Sequence, residues 1–248
     1  MRYLRPASAL GVILLLATGA AYCATPDFSG VWERYPDPYG DSRFPDDPPP
    51  PAGGPQLREP YASAYKKANQ RKAEADKKGK PLADAATRCL PQGMPTIMAA
   101  VEPIEILQTP RQLVVLAEFL TQTRRVYLNE KMPAPDDISP GYNGYSVAHW
   151  EGQTLVVHTQ GVREDIQFMA IPHSAQMKIT ERLRLTGPGL LEDQITIDDP
   201  SVLAKPYAFT FGYKRNLQYR IMEYICDNNR EHLDSHGNVS LDVTPDKK

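Results

Sequence analysis

The sequence predicts a mainly β protein, an antiparallel meander that closes to a barrel or a strongly curved sheet, with one N-terminal helix. From residue 104 onward, short β-branched and aromatic runs alternate with turn signals, which is typical of antiparallel strands. Turn residues at Glu151-Gly152 and at Gly187-Pro188-Gly189 indicate hairpins. Helix-length segments do not alternate with the runs, so a parallel α/β fold is excluded. The predicted strands are 104–108, 111–119, 123–129, 144–150, 153–159, 176–185, 190–197, 207–215 and 219–226.

A proline-rich segment and a helix precede these strands. Nine prolines lie between Tyr35 and Pro60, and we expect an extended wrap or linker there because proline lacks the backbone donor that helices and sheets use. The next segment is rich in helix formers and stops at Gly79 and Pro81, which predicts a helix over residues 61–80. Its basic side chains are interpreted as a solvated face, with an anionic lipid or a protein partner as the alternative. The predicted parts are a signal peptide (1–24), the first strand and wrap (25–60), the helix (61–80), the barrel core (81–226) and a polar tail (227–248).

Composition limits the function classes. The 248 residues are 41% hydrophobic, which is enough for the core of one large domain or two small ones. A net charge of −2 argues against a nucleic-acid partner, since phosphate recognition needs a basic excess. No apolar run of about 18 residues follows the N-terminus, so no transmembrane segment is expected in the mature protein.

The N-terminus predicts export. Two arginines precede an apolar run over residues 9–17, and small residues follow, which is the pattern of a secretory signal peptide over residues 1–24. Tyr22 disfavours the alternative of a lipoprotein acylated at Cys23. Without Arg2 and Arg5, the 28 basic side chains become 26 against 30 acidic ones, a mature charge of −4. A periplasmic or secreted protein is expected.

Cys89 and Cys226 remain once Cys23 leaves with the signal peptide. In an oxidising compartment an even pair predicts a disulfide, which here closes a long loop. A catalytic thiol is the alternative. The sequence has no Cys-x-x-Cys spacing, and neither cysteine has a histidine nearby in sequence, so the disulfide is favoured.

Two carboxylates on apolar strand faces are the first candidate site residues. Glu181 and Glu223 each share a strand face with aliphatic side chains, and a buried charge needs a partner. One interpretation is that arginines of neighbouring strands pair with them and tie the barrel together; the candidates are Arg124, Arg125, Arg182 and Arg220. The other is that they line a cavity with His149, Arg125 and Tyr127. Burial there would raise a carboxyl pKa toward the range for general acid–base catalysis.

His173 and an aromatic strand complete the predicted site. His173 lies in a loop expected to cap a barrel mouth, and it is a second candidate base. One face of the strand 207–215 is wholly aromatic and forms the predicted wall for an apolar or aromatic ligand. The predicted ligand-binding residues are Tyr145, Tyr207, Phe209, Phe211 and Tyr213.

Together these residues predict a barrel that binds a small hydrophobic or aromatic molecule. A cofactor-free lyase or isomerase step fits them, with arginine stabilising the negative charge that proton transfer creates. A non-catalytic carrier and an envelope interaction module are the alternatives. The sequence has no His-Glu-x-x-His, Gly-x-Ser-x-Gly or glycine-rich phosphate loop, so no metal, nucleotide or other cofactor is predicted.

Gly30 and Trp32 form a Gly-x-Trp motif on the predicted first strand. This motif resembles the opening of lipocalin-type barrels, in which a late arginine packs over the indole. The resemblance implies a lipocalin-like barrel with Arg220 or Arg230 as the covering residue. The sequence departs from that family because a proline-rich segment and a helix precede the second strand.

Five other segments carry a second resemblance: Arg88-Cys89-Leu90-Pro91, Glu105-Ile106-Leu107-Gln108-Thr109-Pro110, Trp150-Glu151-Gly152-x-Thr154-Leu155-Val156-Val157, Pro172-His173-Ser174 and Glu223-Tyr224-Ile225-Cys226. They are similar to a large, mostly uncharacterised family of exported Gram-negative bacterial proteins. The resemblance implies a β-rich fold and a periplasmic setting, without established catalytic residues. His158 stands where an acidic residue is expected in the strand pattern, which indicates a different chemistry if that position lines the site.

Overall fold

The computed structural model describes residues 25–36, 53–100, 102–226, 231–233, 235 and 239–241. The predicted signal peptide, Cys23, Arg230 and residues 37–52 of the proline-rich segment lie outside these residues. Nine of the described strands form a closed barrel in chain order, which confirms the predicted fold class. The strands are β1 Gly30–Arg34, β2 Ile104–Gln108, β3 Gln112–Ala117, β4 Gln122–Leu128, β5 Tyr145–Glu151, β6 Thr154–Gln160, β7 Lys178–Gly187, β8 Leu190–Asp198 and β9 Tyr207–Arg215.

Alternation along each strand decides which side chains fill the barrel. On β9, Tyr207 and Tyr213 are buried while Ala208 and Thr210 between them are exposed. The same period of two on β8 buries Leu191 together with every second residue after it. Because successive side chains of a strand point to opposite faces, the buried set faces the interior and the exposed set faces solvent.

One α-helix, α1 (Tyr61–Lys77), lies outside the barrel, close to its predicted bounds. Ala75 is its one buried residue, and Tyr65 packs against the core. Among the described residues, no helix has the length and apolar character needed to cross a membrane. Short 3-10 helices lie at Ala86–Arg88, Thr96–Ala99, Phe119–Thr121 and Pro135–Asp137.

Strand pairing is antiparallel around the barrel except between β4 and β5, which run parallel. The connection over residues 129–144 therefore returns from one end of the barrel to the other, and we call it the crossover segment. The predicted hairpin after β5 is confirmed, but its turn residues are Gly152 and Gln153, because Glu151 pairs with Thr154. Gly152 has a φ of 61°, which glycine adopts without a steric penalty.

Trp32 closes the barrel at the seam between β1 and β9. Its side chain is fully buried, and its Nε1 donates a hydrogen bond of 2.8 Å to the Phe28 carbonyl. The guanidinium of Arg215 lies 4.6 Å from the indole centroid, opposite Trp32 in the β1–β9 register. The arginine over the indole is therefore Arg215. The predicted Arg220 was wrong, because it is exposed, and the other predicted arginine, Arg230, lies outside the described residues.

The predicted strand 219–226 is wrong. Residues 216–226 form an irregular segment, because β1 already pairs with the edge of β9 that a further strand would need. Glu118 anchors this segment by accepting hydrogen bonds from the Tyr219 hydroxyl at 2.9 Å and from the Met222 amide at 3.0 Å. A disulfide joins Cys226 to Cys89, as predicted. Beyond it, β10 (Glu231–Leu233) and β11 (Val239–Leu241) form a two-stranded sheet in the predicted polar tail.

Candidate functional site

A belt of polar side chains crosses the barrel interior. Each strand from β4 to β9 contributes one buried residue to it, and every one of them is at most 2% exposed. The belt consists of Arg124, Ser146, Thr159, Glu181, Asp193 and Tyr213. Buried polar groups normally have hydrogen-bond partners, so the contacts of this belt show which groups are satisfied and which remain available.

Arg124 and Glu181 form the centre of the belt. Arg124 Nη1 donates to Glu181 Oε1 at 2.7 Å, and Nη2 contacts the second carboxylate oxygen. Nη2 also donates to the hydroxyls of Ser146 at 3.2 Å and Thr159 at 3.1 Å. Burial lowers the pKa of Arg124, but the charge and hydrogen bond of Glu181 outweigh burial and raise it. Of the two interpretations of Glu181, the structure shows the arginine pair.

Asp193 is the member of the belt that accepts no hydrogen bond. Its side chain is fully buried, and no described group donates to either carboxyl oxygen. Burial and then the negative charge of Glu181 raise the pKa of Asp193 well above its usual range, against the opposing charge of Arg124. The protonated form is favoured as a result. Its O–H donates to the Glu181 carboxylate, and its other oxygen remains an acceptor.

Asp193 is not among the predicted site residues, although the sequence contains the signal for it. The period of two along β8 places it on the same face as Leu191 and Ile195. Glu181 and Asp193 are diagonal neighbours, since Glu181 pairs with Ile195 and Asp193 with Leu183. A carboxylate on an apolar face was therefore present on two adjacent strands.

An aromatic wall lies beside Asp193. The predicted ligand-binding residues Tyr207, Phe209, Phe211 and Tyr213 all face the interior from β9. Phe211 is directly opposite Asp193 in the register, and the Arg34 guanidinium lies 4.2 Å from its ring centroid. The Tyr213 hydroxyl donates to the Met98 carbonyl at 2.6 Å.

One end of the wall is closed by the connection between β6 and β7, residues 161–177, which we call the cap segment. Its Phe168 ring stacks on Phe209 with centroids 4.8 Å apart and meets Phe211 edge-on at 6.3 Å. Met169 and Ala170 follow with φ of 51° and 59°. This left-handed conformation costs a residue other than glycine about 1–2 kcal/mol.

Two contacts hold the cap segment in place. The ring nitrogens of His173 lie 3.0 Å from the Ser174 carbonyl oxygen and 2.6 Å from that of Ile166. Asp199 accepts hydrogen bonds from the Ser174 amide at 2.6 Å and hydroxyl at 3.0 Å. A cavity of about 10 Å³ remains between the cap segment and the barrel end, which is about enough for one water molecule.

Four predicted catalytic residues lie outside the barrel. His149, Arg125 and Tyr127 occupy the outer face. Side chains alternate between the two faces along β4 and β5, and Arg124 and Ser146 are on the inward face. Tyr145 faces outward as well and stacks on Tyr127 with centroids 5.2 Å apart. Glu223 is exposed on the irregular segment. The prediction that these residues share a cavity with Glu181 is wrong.

The comparison with solved structures adds a likeness of fold. No family model matches the chain, and no curated protein matches it. A solved structure of a mutant of the fluorescent protein UnaG is similar at 15% sequence identity and a TM-score of 0.29, over 55% of this chain and 93% of that one. The barrel of the present protein is established by its own strand pairing. In the part of the chain that is described, no group of three or more His, Cys, Asp or Glu side chains is placed to hold a metal ion.

Asp193→Asn is expected to raise stability at neutral pH. The pKa of Asp193 is higher in the folded state than its unfolded value of about 3.9. The carboxyl therefore contributes its full stabilisation below pH ~3.9, and this stabilisation is lost as the pH rises through the folded-state pKa. Relative to the variant, the unfolding free energy of the wild type should fall by up to about 1.4 kcal/mol per pH unit above pH ~4. Urea unfolding between pH 4 and 8 measures this difference. Asp198→Asn, which changes an outward-facing position on the same strand, is the control; a difference independent of pH would contradict the assignment.

Proposed function

We propose that this protein is exported and binds a small aromatic or hydrophobic molecule inside its barrel. The observation that carries the proposal is Asp193, a fully buried carboxyl to which no described group donates a hydrogen bond. Buried polar atoms in native interiors normally have hydrogen-bond partners, and a bound ligand would supply the missing donor. Its position beside the aromatic wall favours a ligand that carries a ring.

Phe168 marks the place of that ring. It occupies the aromatic wall as a ligand would, stacked on Phe209 and edge-on to Phe211. The two left-handed residues that follow Phe168 make the closed cap segment costly, which reduces the free energy needed to open it. Once the Phe168 ring moves out, a ligand against Phe211 lies next to Asp193, because these two residues are paired in the register.

The charges of the belt restrict the chemistry of the ligand. Arg124 and Glu181 neutralise each other through two hydrogen bonds, so neither offers a free charge to an incoming molecule. Protonated Asp193 donates to Glu181 and keeps an acceptor oxygen for a ligand. A neutral aromatic molecule with a single hydroxyl or amine group fits these groups best.

Binding is favoured over cofactor-free lyase or isomerase chemistry. Acid–base catalysis needs a base within hydrogen-bond reach of the substrate. Glu181 is held by Arg124, while His149 and Glu223 are exposed on the outside of the molecule. The carrier interpretation therefore has the support of the contacts inside the barrel.

Export to the periplasm or the cell exterior belongs to the same proposal. The Cys89–Cys226 disulfide supports it, because disulfides persist in oxidising compartments. The signal-like residues 1–24 and the resemblance to exported Gram-negative proteins point the same way. Cell fractionation followed by native mass spectrometry of the purified protein tests location and cargo together. A cleaved periplasmic protein with a bound small molecule is expected, and a cytoplasmic, uncleaved protein would contradict export.

Phe168→Ala is expected to bind the neutral fluorescent probe N-phenyl-1-naphthylamine about tenfold more tightly than the wild type. In the variant the probe no longer has to displace the Phe168 ring from Phe209 and Phe211. The binding-competent open state is then already populated, so less binding free energy is lost in reaching it. Probe fluorescence in a titration measures the affinity. Tyr127→Ala, which removes an aromatic ring from the outer face, is the matched control and should bind like the wild type.

A double variant separates this site from unspecific exposure of apolar surface. Phe168→Ala with Asp193→Leu keeps the opened wall and removes the polar anchor, so probe binding should be lost. Equal binding by the single and double variants would show that Asp193 has no part in recognition, and the proposed interior site would then be wrong.

A further inference from the structure

A groove lies on the outer face of the barrel, on the opposite side of the wall from Asp193. Val147, His158 and Thr180 stand side by side across β5, β6 and β7 in the strand register. His149 is their diagonal neighbour, and its ring centroid is 5.9 Å from that of His158. The crossover segment contributes Glu130 and Met132 to the edge, and the groove encloses about 290 Å³.

Most polar side chains in this groove can donate hydrogen bonds. Lys178 and Gln160 line it, and in the described structure Lys178 makes no ion pair and the Gln160 side chain no hydrogen bond. The His158 ring lies 3.3 Å from the Thr180 hydroxyl. Glu130 is the carboxylate among the described lining residues, and the Tyr145 hydroxyl donates to it at 3.4 Å. The arrangement leaves an ammonium and two imidazoles facing a shared space.

The surroundings of His158 are mixed in charge. From β5 it faces His149 and Glu151, from β7 Lys178 and Arg182, and from the crossover segment Glu130. Glu151 is already engaged by Arg182 at 2.9 Å and by His149 at 3.3 Å. Burial and then the charge of His149 lower the pKa of His158. An anion bound in the groove would add a negative charge beside the His158 ring and favour its protonated form.

We propose that this outer groove binds the anionic group of a small organic molecule, a carboxylate or a phosphate, between Lys178 and the paired imidazoles of His149 and His158. Met132 and Val147 contact the apolar part of the ligand. The groove volume of about 290 Å³ suits a molecule as large as benzoate or a monosaccharide derivative. The site is independent of the interior one, since Thr159 faces inward and His158 outward on the same strand.

Isothermal titration calorimetry with three probes measures which class of ligand the groove binds. Benzoate and dimethyl phosphate keep one negative charge at both pH 5.5 and pH 7.5, and benzyl alcohol is neutral. At least one anion should bind about tenfold more tightly at pH 5.5, because binding favours protonated His158, and the two anions distinguish a carboxylate from a phosphate ligand. Benzyl alcohol should not bind. Equal binding of the alcohol, or no binding of either anion at pH 5.5, would overturn the proposal.

Two variants place the binding in the groove. Lys178→Gln should weaken anion binding at least tenfold at both pH values, and His158→Gln should abolish the pH dependence. Lys205→Gln removes an exposed charge elsewhere and should bind like the wild type. Wild-type affinity in both groove variants would overturn the assignment. Binding of N-phenyl-1-naphthylamine should be unchanged in both, so failure here and failure of the interior site are distinguishable.

Discussion

Arg124→Met is expected to destabilise the protein by about 3–5 kcal/mol, because it leaves the charge of Glu181 buried without a partner. The variant also removes the donor that the Ser146 and Thr159 hydroxyls share. Urea unfolding at pH 7 followed by circular dichroism gives the free energy. The neighbouring Arg125→Met is the matched control: Arg125 is exposed, so the change should stay within about 0.5 kcal/mol.

A compensating variant tests the physical reason. Arg124→Met combined with Glu181→Leu replaces the buried pair by apolar groups, which is often neutral or stabilising. Most of the lost stability should therefore return, and the coupling between the two positions should be strongly favourable in a double-mutant cycle. Additive losses in the double variant would show that Glu181 is not stabilised by Arg124.

Removal of the disulfide by Cys89→Ser with Cys226→Ser is expected to lower the unfolding free energy by up to about 5 kcal/mol. The bond joins residues 137 positions apart, and closing so long a loop removes much of the entropy of the unfolded chain. Urea unfolding of the wild type and the variant measures the loss. The expected loss comes from the unfolded state, so the barrel spectrum of the folded variant should stay unchanged.

Reduction of the wild type supplies the control for this change. With excess dithiothreitol, the wild-type midpoint should coincide with that of the double serine variant, and the reductant should not affect the variant. A variant as stable as the oxidised wild type would show that residues 216–226 and their contacts with Glu118 hold this region without the covalent link.

The strand pattern made the barrel predictable, whereas the choice of the inward face often was not. On β9 one face is aromatic and the other holds small or polar residues, so the interior wall followed directly from alternation. On β4 each face carries an arginine, which hides the difference between the faces. The face of Arg124 also holds Val126 and Leu128, whereas that of Arg125 holds Thr123 and Tyr127. The predicted site therefore combined inner and outer residues.

Long-range pairing explains the other differences. Residues 219–226 alternate like a strand, but a strand needs a neighbour, and β1 already occupies the free edge of β9. The arginine over Trp32 is fixed by the same seam, since Arg215 and not Arg220 lies opposite the indole. Both facts depend on barrel closure, which joins residues far apart in the chain.

The single parallel pair has a consequence for the number of strands. In a purely antiparallel meander of nine strands, the first and the last would run in the same direction, whereas β1 and β9 here are antiparallel. The parallel joint between β4 and β5 corrects this parity, and it obliges the chain to travel back along the barrel between them. The crossover segment, which makes this return, forms one side of the outer groove. An all-antiparallel barrel with an even strand count closes without any such return path, so a chain with one strand fewer or more could keep the interior belt and lose the groove.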